Sequence, residues 1–269
     1  RPDAPPRETA GNARSPGRQH RYYALAFALT PSASTPFSDI ATGMIAMQEQ
    51  HYLSSFFEPK SIVVVGASET AHSAGNLIFR NLLDSGYKGR IHAVNPKHST
   101  IHGTPSFRTV SDIGASIDLA IVTTRPATIP EIIEQCGRAG IRNVLIATAV
   151  VSVNTRAGSS VERKVLKAAR KHGIRILGPG SLGFIRPPIG LNTTYSRISV
   201  EAGNMALVSQ SGAMCSAVLD WASAHRVGFS CAVSLGSAYD IDFGEILDYL
   251  ISDKRTQAPL PAPVPRVPL

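Results

Sequence analysis

The chain has 269 residues, 43% hydrophobic and 17% charged, enough for one large domain or two small ones at roughly 100–200 residues each. No run of about 18 uncharged apolar residues occurs, so no stretch is long and apolar enough for a membrane-spanning helix. Three cysteines, Cys136, Cys215 and Cys231, with no CxxC pair among them, exclude a disulfide scaffold and argue against structural zinc; they suit a reducing compartment, the cytoplasm. The net charge of +8, from 27 Lys+Arg against 19 Asp+Glu, favours anionic partners. No Lys/Arg run exceeds two residues, so nothing demands nucleic acid.

Residues 1–43 are rich in Pro, Ser, Thr, Ala and Arg, and the expectation is a disordered extension over 1–47. A secretory leader competes, because arginines precede YYALAFAL, but that run is at the short end for such a segment. From 60 onward short β-branched runs alternate with helical patterns. SIVVVGAS (61–68) reads as a buried strand entering a glycine turn, and 73–85 as the following helix with Leu77, Ile78, Leu82 and Leu83 on one side. Further strands are expected at 90–97, 119–123, 143–148 and 174–177, with helices over 130–139 and 160–171. This rhythm implies βαβ units and a parallel sheet covered on both faces. After a loop at 178–204, a second unit reads strand 205–209, helix 213–224, strand 229–233, helix 244–251. Two strands are too few for an open parallel sheet, so this second domain is expected to be incomplete. The proline-rich stretch 258–269 can form neither a helix nor an inner strand and reads as a tail. The expected division is 1–47, 52–198, 203–257 and 258–269.

The first turn reads Gly66-Ala67-Ser68-Glu69-Thr70-Ala71-His72-Ser73-Ala74-Gly75. A strand-to-helix turn favours phosphate, since free N–H groups and the helix dipole attract anions. It is not GxGxxG, because Ser68 occupies the second glycine position. A dinucleotide site also wants an acid after the second strand, where this chain has Asn95-Pro96-Lys97. The lysine suits a phosphorylated ribose, as in NADP or coenzyme A (CoA), although a solvated loop lysine explains it equally well.

The series FFEPKSIVVVGAS, VNPK, LAIVTTRPA, ILGPGSLGF, LNTTYS, LVSQSGA and LDWA…GFS…SLG…DID resembles the NDP-forming acyl-CoA synthetases, relatives of the succinyl-CoA synthetase alpha subunit, over about 56–256. The same module heads bacterial lysine acetyltransferases that carry a GNAT domain, and SLGSAYDIDFGEILDYLISD is similar to those fusions as well. The resemblance implies an α/β protein: a Rossmann-like CoA-binding domain followed by a flavodoxin-like domain. By resemblance, Gly66, Ala67, Ser68 and Gly75 line the phosphate turn, and Asn95, Pro96 and Lys97 meet the adenosine 3′-phosphate end. Thr124, Arg125 and Pro126 then lie beside the pantetheine path. Its implied partners are CoA or acyl-CoA and the remaining synthetase domains or subunit, with no nucleic acid and no membrane.

Two departures touch the chemistry. The family reads GPNSLG where this chain has Gly180 in place of Asn, and Ser-Gly-Phe where it has Ala147-Thr148-Ala149. The second turn, Ser209-Gln210-Ser211-Gly212-Ala213, suits a phosphate through Ser209, Ser211, Gly212 and Ala213, although Ser211 also reads as a plain helix cap. The family's phosphoryl-carrying histidine has no counterpart among the eight histidines, so no catalytic residue is assigned. Asp240, Asp242 and Glu245 open a helix, where acids suit the dipole, and are not assigned a metal. Cys215 reads as core sooner than as an activated thiol, and Trp221 and Phe229 as core. The expected function is the CoA-binding portion of an acyl-CoA synthetase; alternatives are the acetyltransferase relative and an NAD(P)-binding oxidoreductase domain.

Overall fold

The computed structural model describes residues 51–150 and 156–262. The expected extension over 1–47, including its apolar run, and the last seven residues of the expected tail lie outside the described residues.

A single turn of helix, α1 (Ser54–Phe57), buries Phe56 and Phe57 and leads into β1 (Ser61–Val65), buried at every position. β-Branched side chains fill a two-faced strand of this kind. α2 (Ala74–Asp84) follows, then β2 (Arg90–Val94), which pairs parallel to β1. A small hairpin, β3 (Thr100–Ile101) and β4 (Thr104–Phe107), extends the sheet beyond β2. On the other side of β1 come β5 (Leu119–Val122), β6 (Asn143–Ile146) and β7 (Arg175–Leu177), all parallel. They alternate with α3 (Ile129–Arg138) and α4 (Arg156–His172). The order is β3-β4-β2-β1-β5-β6-β7. Alternate residues of β1 divide the core: Ile62 and Val64 join Phe56, Ile78, Phe79 and Leu82 on one face. Val63 and Val65 join Ile129, Ile133, Val165 and Ala169 on the other.

A second sheet follows the first. β10 (Ala202–Ser209), α5 (Gly212–Ala224) and β11 (Phe229–Ser234) form a βαβ unit, and α6 (Phe243–Ser252) follows. The expected loop at 178–204 instead contains β8 (Gly183–Arg186), antiparallel to β11, and β9 (Leu191–Asn192), antiparallel to β8. A Pro187–Ile189 turn closed by Gly190 at φ +64° makes the reversal. By pairing, 183–192 thus belongs to the second sheet, although it precedes the boundary expected at 198. Within the expected tail, β12 (Ala258–Ala262) lies parallel to β10 at the sheet edge. Backbone nitrogens alternate sides along a strand, so Pro259 and Pro261 both turn their missing N–H the same way, and an edge tolerates that.

The two sheets share a core. Phe184, Ala206, Val208 and Val233 pack in one cluster with Ile78, Leu177 and Phe57. At the seam Arg186, fully buried, donates to Asp253 Oδ2 at 2.7 Å and to Glu58 Oε1 at 2.9 Å. Arg175 donates to Asp240 Oδ2 at 2.8 Å and to both oxygens of Glu245.

Candidate functional site

β1 is followed by Gly66, whose φ of +93° only glycine adopts freely. Its N–H donates to Val94 O at 2.9 Å, locking the turn to β2, and the Thr123 hydroxyl donates to Gly66 O at 3.0 Å from the β5 side. Gly75 presses on the same carbonyl: a Cβ there would stand 2.1 Å from Gly66 O. The helix therefore begins directly against the strand end. Ser73 caps α2 by accepting from Asn76 N at 3.2 Å, and no acid occupies the first turn. Ser68 stays within the turn, accepting from Thr70 N at 2.9 Å.

Asn95 joins the second strand end to the first turn. Its side-chain amide donates to Ala67 O at 2.8 Å and its Oδ1 accepts from Lys97 N at 2.9 Å. Pro96 and Lys97 project exposed beyond it. Thr124, Arg125 and Pro126 follow β5. Thr148 donates its hydroxyl to Thr124 O at 2.7 Å, Thr128 donates to Thr124 Oγ1 at 2.9 Å, and Arg125 is exposed. Because β2, β1 and β5 are adjacent and parallel, all three expected groups come to one sheet edge, where open α/β sheets hold ligands.

Two residues at this edge escaped the sequence reading. His102, at φ +46°, donates its backbone N–H to Glu69 Oε1 at 2.6 Å and sets its ring nitrogen 2.7 Å from Asn76 Oδ1. It thereby holds the turn's one carboxylate. Arg197 reaches His72 at 3.3 Å from a strap that Asn81 fixes by donating to Thr194 O and Ser196 O, each at 2.7 Å. Only the His-Gly of the β3–β4 turn hints at the first, and nothing local at the second.

At the second turn, Ser209 is buried and its Oγ accepts from Ser211 N at 3.1 Å. Ser211 caps α5, accepting from Met214 N at 3.2 Å. Both hydroxyls thus serve the turn. A Cβ on Gly212 would lie 3.2 Å from Leu182 Cβ, so this turn abuts the loop 178–183 that leaves β7. That loop is held from both sides: Gly180 N donates to Thr148 O at 3.0 Å, and Ser237 N to Pro179 O at 2.8 Å.

The remaining candidates resolve as scaffold. Asp242 and Glu245 form a reciprocal cap on α6 while Asp240 and Glu245 bind Arg175; among the described residues no group of acids, histidines and cysteines is placed to hold a metal ion. Cys215 is buried, and burial pushes its thiol up to about 12, which suppresses the thiolate. Phe229 is core, as expected, but Trp221 is not: it is 57% exposed and stacks on His225 at 4.4 Å. Its helix is apolar nearly all round, so the sequence alone cannot tell which side faces inward. Two cavities, of about 490 and 380 Å³, open at the opposite, amino-terminal edge around Lys60 and Glu58.

Residues 60–187 match the model of a CoA binding domain, and 202–260 that of a succinyl-CoA ligase-like flavodoxin domain. An ADP-forming acetate–CoA ligase of Archaeoglobus fulgidus is 37% identical over 74% of this chain and 29% of its own length. The alpha subunit of an ADP-forming acetate–CoA ligase of Pyrococcus furiosus is 34% identical over 77% of this chain and 46% of its own. Among solved structures, the acetyl-coenzyme A synthetase 1 of Candidatus Korarchaeum cryptofilum, in complex with phosphate and ADP, superposes with a TM-score of 0.74 at 30% identity, covering 80% of this chain and 46% of that one. The chain thus spans less than half the length of these relatives. They are ligases and synthetases, which does not favour the acetyltransferase or oxidoreductase alternatives.

Proposed function

We infer that this chain, which belongs to the NDP-forming acyl-CoA synthetase family by its paired CoA-binding and succinyl-CoA ligase-like modules, binds CoA along the carboxyl edge of its first sheet as part of an acyl-CoA-forming assembly. The observation that carries the reading is the first turn. Gly75 set against Gly66 O leaves the α2 N-terminus open at the strand end, without an acid to satisfy it. CoA supplies the complement: a pyrophosphate for that turn, a 3′-phosphate for Lys97 past β2, and a thiol arm that runs past Thr124, Arg125 and Pro126. The adenosine end belongs on the β2 side because Asn95, through Ala67 O and Lys97 N, fixes the lysine beside the turn.

The second turn is the complementary phosphate site. Its hydroxyls and the Ser211 N–H are engaged internally, so Gly212 and Ala213 would meet a phosphoryl group through backbone N–H groups, with Ser209 and Ser211 holding the turn in shape. The chemistry of the assembly joins an acid to the CoA thiol at the expense of a nucleotide. This chain's share is to hold the thiol carrier and present its end toward the second turn.

Titration calorimetry tests the reading. Lys97→Glu is expected to weaken CoA about tenfold, since a charge-assisted hydrogen bond contributes about 1.5–3 kcal/mol, and dephospho-CoA is expected to lose a similar factor against the parent chain. Equal affinity for CoA and dephospho-CoA overturns the assignment of Lys97.

A further inference from the structure

We propose that the larger cavity at the amino-terminal edge of the first sheet is a binding site for a small organic acid, one whose flat or branched apolar body ends in a carboxylate or phosphate. It lies apart from the CoA site. Lys60 precedes β1 and Gly66 follows it, so the two ends stand about 20 Å apart at the usual rise along a strand.

The cavity has a volume of about 490 Å³, within the range of small-molecule sites. The approaches to β1 and β2 supply Pro59, Lys60, Tyr87 and Lys88, and the turn between β8 and β9 supplies Ile189. These segments are fixed before any ligand arrives. Tyr87 donates its hydroxyl to Pro59 O at 2.6 Å, and Arg90 N donates to Lys60 O at 3.0 Å. Gly89 makes room for the ring, since a Cβ there would stand 2.1 Å from the Tyr87 hydroxyl oxygen. On the far side Ser85 donates its hydroxyl to Gly190 O at 2.6 Å, and a Cβ on Gly190 would lie 2.7 Å from the Gly86 carbonyl carbon. The loop of the first sheet and the turn of the second are pressed backbone to backbone, which preforms the cavity.

Charge selects the ligand. Lys60 and Lys88 are exposed, and among the described residues neither is paired with a carboxylate. Glu58 also lines the cavity but is already claimed: its Oε1 accepts from Arg186 at 2.9 Å and from Arg255 at 2.6 Å. Asp118 lines the neighbouring cavity, where its Oδ2 accepts from Lys60 N at 2.7 Å and Ser61 N at 3.0 Å. Burial, with the Asp118 charge adding to it, pushes the Tyr87 phenol above its ordinary range, so the ring is a neutral wall. An acidic head at the two lysines gains charge-assisted hydrogen bonds. An apolar body along Pro59, Tyr87 and Ile189 leaves water for carbon surface.

Titration calorimetry on the full chain tests this with 1-naphthoate, 1-naphthyl phosphate and the uncharged 1-naphthalenemethanol. At least one anion is expected to bind with a Kd of about 0.1–1 mM, the efficiency usual for a ligand of this size; the tighter of the two identifies the preferred head. The uncharged probe is expected to bind at least fivefold more weakly. Lys60→Glu and Lys88→Glu, both at exposed positions, are each expected to weaken the anion fivefold or more at an unchanged urea midpoint. Lys164→Glu, exposed on α4, is expected to leave it within twofold, and so is saturating CoA. No anion binding below 5 mM overturns the site, as does equal affinity for the uncharged probe. A loss as large in Lys164→Glu as in Lys60→Glu and Lys88→Glu overturns it too, since the attraction would then be to net charge alone. Displacement of the anion by CoA overturns it by placing the probe at the other edge.

Discussion

At the scale of single residues, the glycines of the first turn carried their meaning in the sequence. Gly66 was readable as a turn glycine and Gly75, by resemblance, as a member of the phosphate turn, and the 2.1 Å clearance at Gly75 adds the close approach it permits. Gly75→Ala is expected to lose about 1–3 kcal/mol of stability, the usual cost of overpacking, because the new Cβ meets a backbone carbonyl that cannot rotate away. A lower urea midpoint together with CoA binding lost or weakened at least tenfold would agree; an unchanged midpoint would contradict the packing argument. His102 was not readable. Its role depends on the β3–β4 turn carrying it back to Glu69 and Asn76, 33 and 26 residues earlier, and no local pattern encodes such a return. Trp221 failed for a different reason: burial was inferred from residue type, whereas α5 buries Cys215, Leu219 and Ala222 and turns Met214 and Trp221 outward.

At the scale of elements, β1, β2, β5, β6 and β7 were legible as short, mostly apolar runs and their helices as apolar periods, whereas the β3–β4 hairpin was not. β8 and β9 were not, since a four-residue and a two-residue strand around Pro187-Pro188 carry too short a period to separate from a loop. What fixes β8 is tertiary: Arg186 reaches Asp253, at the end of α6, and Glu58, after α1. Burial works to raise the Asp253 carboxyl, but the Arg186 hydrogen bond and charge override it and hold it below its usual 3.8. A carboxyl depressed on folding contributes stability that is fully present above its unfolded value and is lost as pH falls through the folded one. Asp253→Asn is expected to cost about 3 kcal/mol at pH 7, since it strips the charge from a buried pair, and the difference should shrink as the pH drops below 3.8. Thermal melts of both proteins from pH 7 to pH 2.5 measure this; a constant difference would remove Asp253 from the account. The exposure of α5 has an optical counterpart. Trp221 is the single tryptophan, so native emission should lie close to that of the unfolded chain and acrylamide should quench it readily; a strongly blue-shifted, protected emission would contradict the outward orientation.

At the scale of the whole molecule, the sequence marked two α/β units in order, but not that the chain visits the second sheet before the first unit's expected end at 198. The chain enters the second sheet at Gly183, leaves it after Asn192, crosses α2 through the strap held by Asn81, and re-enters at Ala202. A hydrophobicity pattern records segments and does not record such a double visit. The consequence is mechanical. The span 193–201 carries Arg197, exposed to solvent, and a protease that severs the chain there leaves β8 and β9 on the leading fragment while β11, the hydrogen-bonding mate of β8, remains on the trailing one. The two pieces are then stitched by an interrupted sheet and the Arg186–Asp253 contact, so a nicked molecule should migrate as one body under native conditions and come apart only in denaturant.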